Sequence, residues 1–158
     1  MTKKRRILLI IFIILTLSVM AAIFFFSSQN AASSTRTSGS VVRFILSVVV
    51  PGFEDMSPSE QAALVTEYGS FIRKCAHFTE FAALGFCFTT LLSLGDISHE
   101  YVRSMVFGVL YASSDELHQL FSDGRACSLR DVLIDSSGFA CGLILSILIS
   151  DIIRKRKA

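Results

Sequence analysis

Long apolar runs separated by short polar stretches set the pattern of this chain. Residues 7–26 form one such run behind Lys3-Lys4-Arg5-Arg6, as long as the ~20 residues a helix needs to cross a bilayer. A secretory signal peptide has a similar basic start, and Asn30-Ala31-Ala32-Ser33 offers small residues for cleavage. Signal cores run to about 7–15 residues, so the length favours a retained transmembrane helix. Residues 27–43 are rich in Ser and Thr and predict a polar loop. The apolar run 41–50 is too short to span and predicts an interfacial helix or a re-entrant element, closed by Pro51-Gly52. Ser57-Pro58-Ser59-Glu60 then supplies an N-cap, a Pro at the first helical position and a Glu three residues beyond the cap, which predicts a helix start. Ala62, Leu64, Val65, Tyr68 and Phe71 give that helix an apolar face before it enters the membrane.

Three more apolar segments predict spans over about 72–94, 102–121 and 131–153, with outer loops over about 27–71 and 122–130. The expected fold is all-α: an integral-membrane four-helix bundle, one domain over 1–158, with the interfacial or re-entrant segment in the first outer loop. Gly138 and Gly142 form a G-x-x-x-G spacing that permits close helix contact. His99 falls in a turn between spans, and no internal repeat divides the chain.

Composition agrees with a membrane protein. Of 158 residues, 52% are hydrophobic and 18% charged, and mean hydropathy is +0.60; soluble domains carry nearer a quarter charged residues. The net charge is +2, and the basic residues lie mainly in Lys3–Arg6 and in Arg154-Lys155-Arg156-Lys157, so no basic, aromatic surface for nucleic acid is expected. Cys75, Cys87, Cys127 and Cys141 show no C-x-x-C spacing and read as core or loop residues; no disulfide framework is expected, and a Cys75–Cys127 bridge on the outer side is the disfavoured alternative.

Charge placement adds a site. Basic flanks prefer the cytoplasm, so both termini are expected inside a cytoplasmic membrane. Arg73, Lys74, His77 and Glu80 then fall at the outer end of the second span. Asp115, Glu116, His118 and Gln119 fall at the outer end of the third, and Asp131 and Asp135 at that of the fourth. Arg125 and Arg130 lie in the loop between the last two spans. Helical phase puts Arg73, His77 and Glu80 on one face, Tyr111, Asp115, His118, Gln119 and Ser122 on another, and Asp131, Asp135, Gly138 and Gly142 on a third. One composite polar site facing the bundle interior follows.

Two stretches resemble a known family. Arg73-Lys74-Cys75-Ala76-His77-Phe78-Thr79-Glu80-Phe81-Ala82-Ala83-Leu84-Gly85 is similar to the R-K-x-A-H-F-x-E-F-x-x-L-G signature of VanZ-like membrane proteins. Ser114-Asp115-Glu116-Leu117-His118-Gln119-Leu120-Phe121, with Gly124-Arg125, Asp131, Asp135 and Gly138, resembles that family's remaining elements. The resemblance implies a bacterial multi-span membrane protein, in a family named for a member associated with teicoplanin resistance. It carries no catalytic assignment.

Three readings of the cluster follow from its chemistry. In the first, Arg73, Lys74, Arg125 and Arg130 hold an anionic lipid or an outer-leaflet lipid-linked cell-wall precursor, oriented by the carboxylates and Gln119. In the second, His77, Glu80, Asp115, Glu116 and His118, with Asp131 and Asp135, act as metal ligands or as acid and base; His77-x-x-Glu80 and Glu116-x-His118 each bring two candidate ligands near one point. H-E-x-x-H, G-x-S-x-G and Walker motifs are absent. In the third, ion pairs such as Arg73 with Glu80 only fix helix register. A channel or transporter is disfavoured, because the inner halves of the spans are almost wholly apolar. Metal, cofactor and oligomeric state are left open by the sequence.

Overall fold

A computed structural model describes residues 2–29, 31–122 and 127–155, with the backbone alone at 31–37. These residues form five helices and no strand: α1 (Lys3–Ser27), α2 (Ala31–Val49), α3 (Pro58–Leu94), α4 (Glu100–Gln119) and α5 (Leu129–Lys155), with a short 3-10 turn at Phe53–Asp55. Three of them, α1, α3 and α5, are long and apolar enough to cross a membrane. Helix α4 is 20 residues long, but every window of membrane length in it contains Arg103, Asp115 and Glu116.

Local chemistry explains the boundaries. The Thr2 hydroxyl caps α1 by accepting from the Arg5 N–H at 3.3 Å. At α3 the Ser57 hydroxyl accepts from the Glu60 N–H, and the Glu60 carboxylate accepts from the Ser57 N–H at 2.9 Å, with Pro58 at the first helical position. The expected helix from Ser57 and the span over 72–94 are one continuous helix of 37 residues, about 55 Å long at ~1.5 Å per residue. That exceeds a hydrocarbon core of about 30 Å, so the amphipathic first third of α3 projects beyond the apolar part.

The polar loop expected over 27–43 is instead largely helix α2. Val42 and Leu46, one turn apart, are buried with Phe53 beneath Leu64, Val65 and Ile72. This anchored half extends backwards because residues 31–40 contain no Pro and only Gly39 as a breaker, while Ser and Thr each cost only a few tenths of a kcal/mol in a helix. Gly52, at φ +76°, turns the chain after α2.

Helices α3 and α5 make the tightest contact. A Cβ added at Gly138 would overlap the Phe78 carbonyl, one at Gly142 the Ala82 carbonyl, and one at Gly85 the Phe139 carbonyl. Phe139 is buried beside Gly108 of α4, and the core around it includes Ile23, Phe81, Leu84 and Ala112. Phe107 of α4 stacks on Phe88 at 4.0 Å between ring centroids.

Polar contacts fix the directions of the helices. Arg5 Nε donates to the Leu94 carbonyl at 2.9 Å and its guanidinium pairs with Asp96, joining the start of α1 to the end of α3. The hydroxyls of Thr89 and Ser104 pair at 2.5 Å, and those of Thr90 and Ser146 at 2.8 Å. Tyr111 donates to the Met20 carbonyl at 3.0 Å. Helices α1 and α4 therefore run one way and α3 and α5 the other. The ends bearing Lys3–Arg6 and Arg154-Lys155 lie together, opposite the polar end.

All four cysteine thiols are free. Cys87 is buried as expected, Cys141 faces outward, and Cys75 and Cys127 are exposed and unbridged. His99 is exposed at the start of α4.

The glycine seam yields a stability test. Gly142→Val drives a branched side chain into the α3 backbone and should cost about 3 kcal/mol, the upper end for overpacking. Leu148→Ala on the outer face should be nearly neutral. Thermal melts in detergent measure both, and equal melting temperatures for the two variants would contradict the seam.

Candidate functional site

Three helices bring one candidate ligand each to a common point at the polar end. Ligand atoms of His77 on α3, Asp115 on α4 and Asp135 on α5 all lie within 4.8 Å of one another. Asp115 is 5% exposed and Asp135 2%. The seam brings the first and last together, since Phe78 follows His77 and its carbonyl packs on Gly138, one turn beyond Asp135.

Each acid has its own surroundings. Asp115 Oδ2 accepts from the Ser27 hydroxyl at 2.8 Å and from Gln119 Nε2 at 3.0 Å. Glu116 is 2% exposed and accepts from the Ser128 backbone N–H at 2.9 Å, which ties the start of α5 to α4. Glu80 Oε2 stands 3.9 Å from His77 Nδ1. Asp131 pairs with Lys74, both about one-third exposed, on the flank of the centre. His118 stacks on Phe24, with ring centroids 4.4 Å apart, and its buried Nε2 has no hydrogen-bond partner among the described residues.

The expected residues thus divide. His77, Glu80, Asp115 and Asp135 converge, with Gln119 bound to Asp115, Lys74 and Asp131 paired beside them, and Glu116 held toward the loop. Arg73 makes no ion pair with a carboxylate among the described residues; its guanidinium lies 3.8 Å from the position of a Cβ on Gly69, toward α2. Arg130 is exposed, and Arg125 lies outside the described residues. Of the basic groups invoked for anion binding, Lys74 reaches the flank of the centre through Asp131, while Arg73 and Arg130 form no ion pair with its acids among the described residues.

The first helix is the wall that sequence reasoning missed. Ser27, wholly buried, supports Asp115; Phe24 covers His118; Met20 accepts from Tyr111; and the Ser122 hydroxyl reaches the Ser27 and Ser28 carbonyls at 3.4 Å. The signal was present in spacing: Thr16, Met20, Ile23 and Ser27 fall four, three and four residues apart on one face, and Thr16, Ile23 and Ser27 are the buried residues of α1.

The donor set suits a divalent cation. One imidazole and two carboxylates are hard-to-borderline ligands fit for zinc, manganese or magnesium. Three protein ligands leave positions open for an exogenous group, as in catalytic zinc sites. Glu80, Asp115, Glu116, Asp131 and Asp135 share this end, where Lys74 pairs with Asp131, and carboxylates in a dry site are costly unless cations or hydrogen-bond donors offset them.

The family model described as VanZ/LLP1 matches residues 12–150, so the match takes in α1 from residue 12 onward as well as the signature stretches. No curated protein and no solved structure matches the chain.

Support of Asp115 from α1 is testable. Ser27→Ala leaves a buried carboxylate one donor short, which should destabilise the protein by about 1–3 kcal/mol, whereas Ser28→Ala at the exposed neighbour should leave the melting temperature unchanged. Identical melts for the two variants would remove α1 from the site.

Proposed function

The chain belongs to the VanZ/LLP1 family, and we propose that its His77–Asp115–Asp135 centre binds a divalent cation and, through it, the phosphate of an outer-leaflet lipid or lipid-linked cell-wall precursor. The supporting observation is the convergence of three ligand atoms from three helices within 4.8 Å, two of them on buried acids. An anionic group approaching these carboxylates without a cation meets repulsion. With one, the same acids become the scaffold that holds the anion's partner.

The proposed setting is a bacterial cytoplasmic membrane crossed four times, with α4 completing the passes and its polar end buried against α1, α3 and α5. Both basic ends lie in the cytoplasm under the positive-inside preference, which turns the centre outward. Binding a lipid-linked precursor there would connect the protein with teicoplanin or other envelope resistance, as the resemblance implies. A second reading, turnover, draws on Glu80 beside His77: a carboxylate in that position is placed to accept a proton from water attacking a phosphate ester, with the leaving oxygen protonated in exchange.

Metal binding decides the first point. Purified wild-type protein should retain zinc or manganese stoichiometrically and lose it to EDTA. At a free-metal concentration 100 times Kd the ion should stabilise the protein by about 2.7 kcal/mol. His77→Ala and Asp135→Asn should abolish both effects while helicity by circular dichroism is kept. A wild-type protein that takes up no zinc, manganese or magnesium by calorimetry would leave the cluster as a polar anchor between helices.

Topology has its own measurement. A C-terminal green fluorescent protein fusion should fluoresce, and a C-terminal alkaline phosphatase fusion should be inactive. The reverse pattern would turn the centre toward the cytoplasm and sink the outer-leaflet ligand.

A further inference from the structure

Arg73 belongs to a different feature from the carboxylate centre. Helices α2 and α3 enclose a cavity of ≈ 180 Å³ between Ser38, Gly39 and Val42 on one side and Val65, Thr66, Gly69 and Arg73 on the other. Its volume equals about six waters at ~30 Å³ each, enough for a phosphate and the first atoms of its esters. No acid is among the described residues that line it. It shares Gly39 and Val65 with a wider cleft of ≈ 510 Å³, bordered by Ser40, Arg43 and Glu54. Arg43 gives Nη1 to Gln61 Oε1 at 2.5 Å and keeps its remaining N–H groups.

Both glycines contribute space. The missing side chain of Gly69 makes room beside the Arg73 guanidinium, and a Cβ on Gly39 would meet nothing within 4 Å. Depth also matters: Arg73 stands where the apolar stretch of α3 begins at Ile72, below the projecting amphipathic part. With the apolar stretch of α3 set across a bilayer, that is headgroup level. Phe44 borders the wider cleft, and the same two helices leave Val41, Phe44 and Val48 of α2 54%, 69% and 71% exposed and Phe71 of α3 66% exposed, so exposed apolar side chains flank the guanidinium-bearing cavity on both helices.

We propose that the α2–α3 cleft binds the phosphodiester headgroup of an anionic glycerophospholipid, with Arg73 on the phosphate and the acyl chains along Val41, Phe44 and Val48. A guanidinium matches two phosphate oxygens with two parallel N–H groups, which the ammonium of Lys cannot do. Two arginines against Glu54 give the paired cavities a positive balance. Helix α2 packs on α3 through Val42 and Leu46 and keeps other apolar side chains exposed; an amphipathic helix of this kind, set at the interface, is the element expected to contact such a lipid. This site shares no residue with the proposed cation centre and stands or falls separately from it.

The test uses the full chain in nanodiscs of phosphatidylcholine with and without phosphatidylglycerol, read by native mass spectrometry for retained lipid and by thermal melting. Wild type should retain phosphatidylglycerol preferentially and melt higher in its presence. Arg73→Gln should lower that retention about ten- to a hundredfold, the worth of a hydrogen-bonded charged group, and Arg73→Lys should give an intermediate value. Gly39→Leu, which fills the cleft from open space, should lower retention with Arg73 intact. Metal content in the Arg73 variants should equal that of wild type. Equal phosphatidylglycerol retention by wild type, Arg73→Gln and Gly39→Leu, all folded, would overturn the proposal. So would Arg73-dependent protection by inorganic phosphate in pure phosphatidylcholine discs that matches protection by phosphatidylglycerol, because a free anion would then be the ligand.

Discussion

Backbone contact between α3 and α5 is the constraint on which the rest of the molecule depends. Membrane helices gain nothing from excluding lipid, which is as apolar as their own side chains, so association rests on van der Waals packing and polar contacts. Gly85, Gly138 and Gly142 let each helix set its carbonyls against the other's missing side chains. The consequence reaches the polar end at once. His77 and Asp135 sit within one turn of the Phe78–Gly138 contact, so the packing that holds the helices together also holds a histidine and a buried acid across from one another.

Helices α4 and α1 complete the arrangement by different means. Phe139 carries the contact from α5 into α4 by filling the space that Gly108 leaves open, and the stacked rings of Phe88 and Phe107 extend it. Helix α1 is greasy over most of its surface, yet its one buried face supplies the Ser27 hydroxyl to Asp115 and the Phe24 ring to His118. A buried carboxylate needs donors before it can be kept at a fixed position. Ser27 and Gln119 meet that need on a single oxygen of Asp115, a carboxylate that lies with His77 and Asp135.

Much of this was legible in the sequence, for reasons that can be located. The Ser57 capping box is local chemistry within four residues, so it reads without tertiary knowledge. The convergence of His77, Asp115 and Asp135 followed from counting residues along helices of known rise. The second half of α2 read as one of two alternatives for the apolar run 41–50, but its first half did not read, because Ser- and Thr-rich composition scores as loop while what anchors the helix is burial of Val42 and Leu46 against residues far along the chain. The polar face of α1 was hidden by the same logic in reverse: Thr16 and Ser27 look incidental inside an apolar run until their spacing is measured.

Arg73 shows how phase alone misleads. It stands four residues before His77, and residues four apart share a face. Side chains on a helix lean toward its N-terminus, however, so a long one covers the turn before its own Cα. The Arg73 guanidinium consequently lies beside Gly69 and the α2 cavity, a turn further from the carboxylates than its Cα. Its neighbour Lys74, rotated by about 100° at 3.6 residues per turn, faces α5 and pairs with Asp131. Two consecutive basic residues are thereby divided between two neighbours. Among the described residues the ammonium of Lys74 goes to Asp131, and what suits the centre to a metal ion is its donor set, one imidazole and two buried carboxylates from three helices.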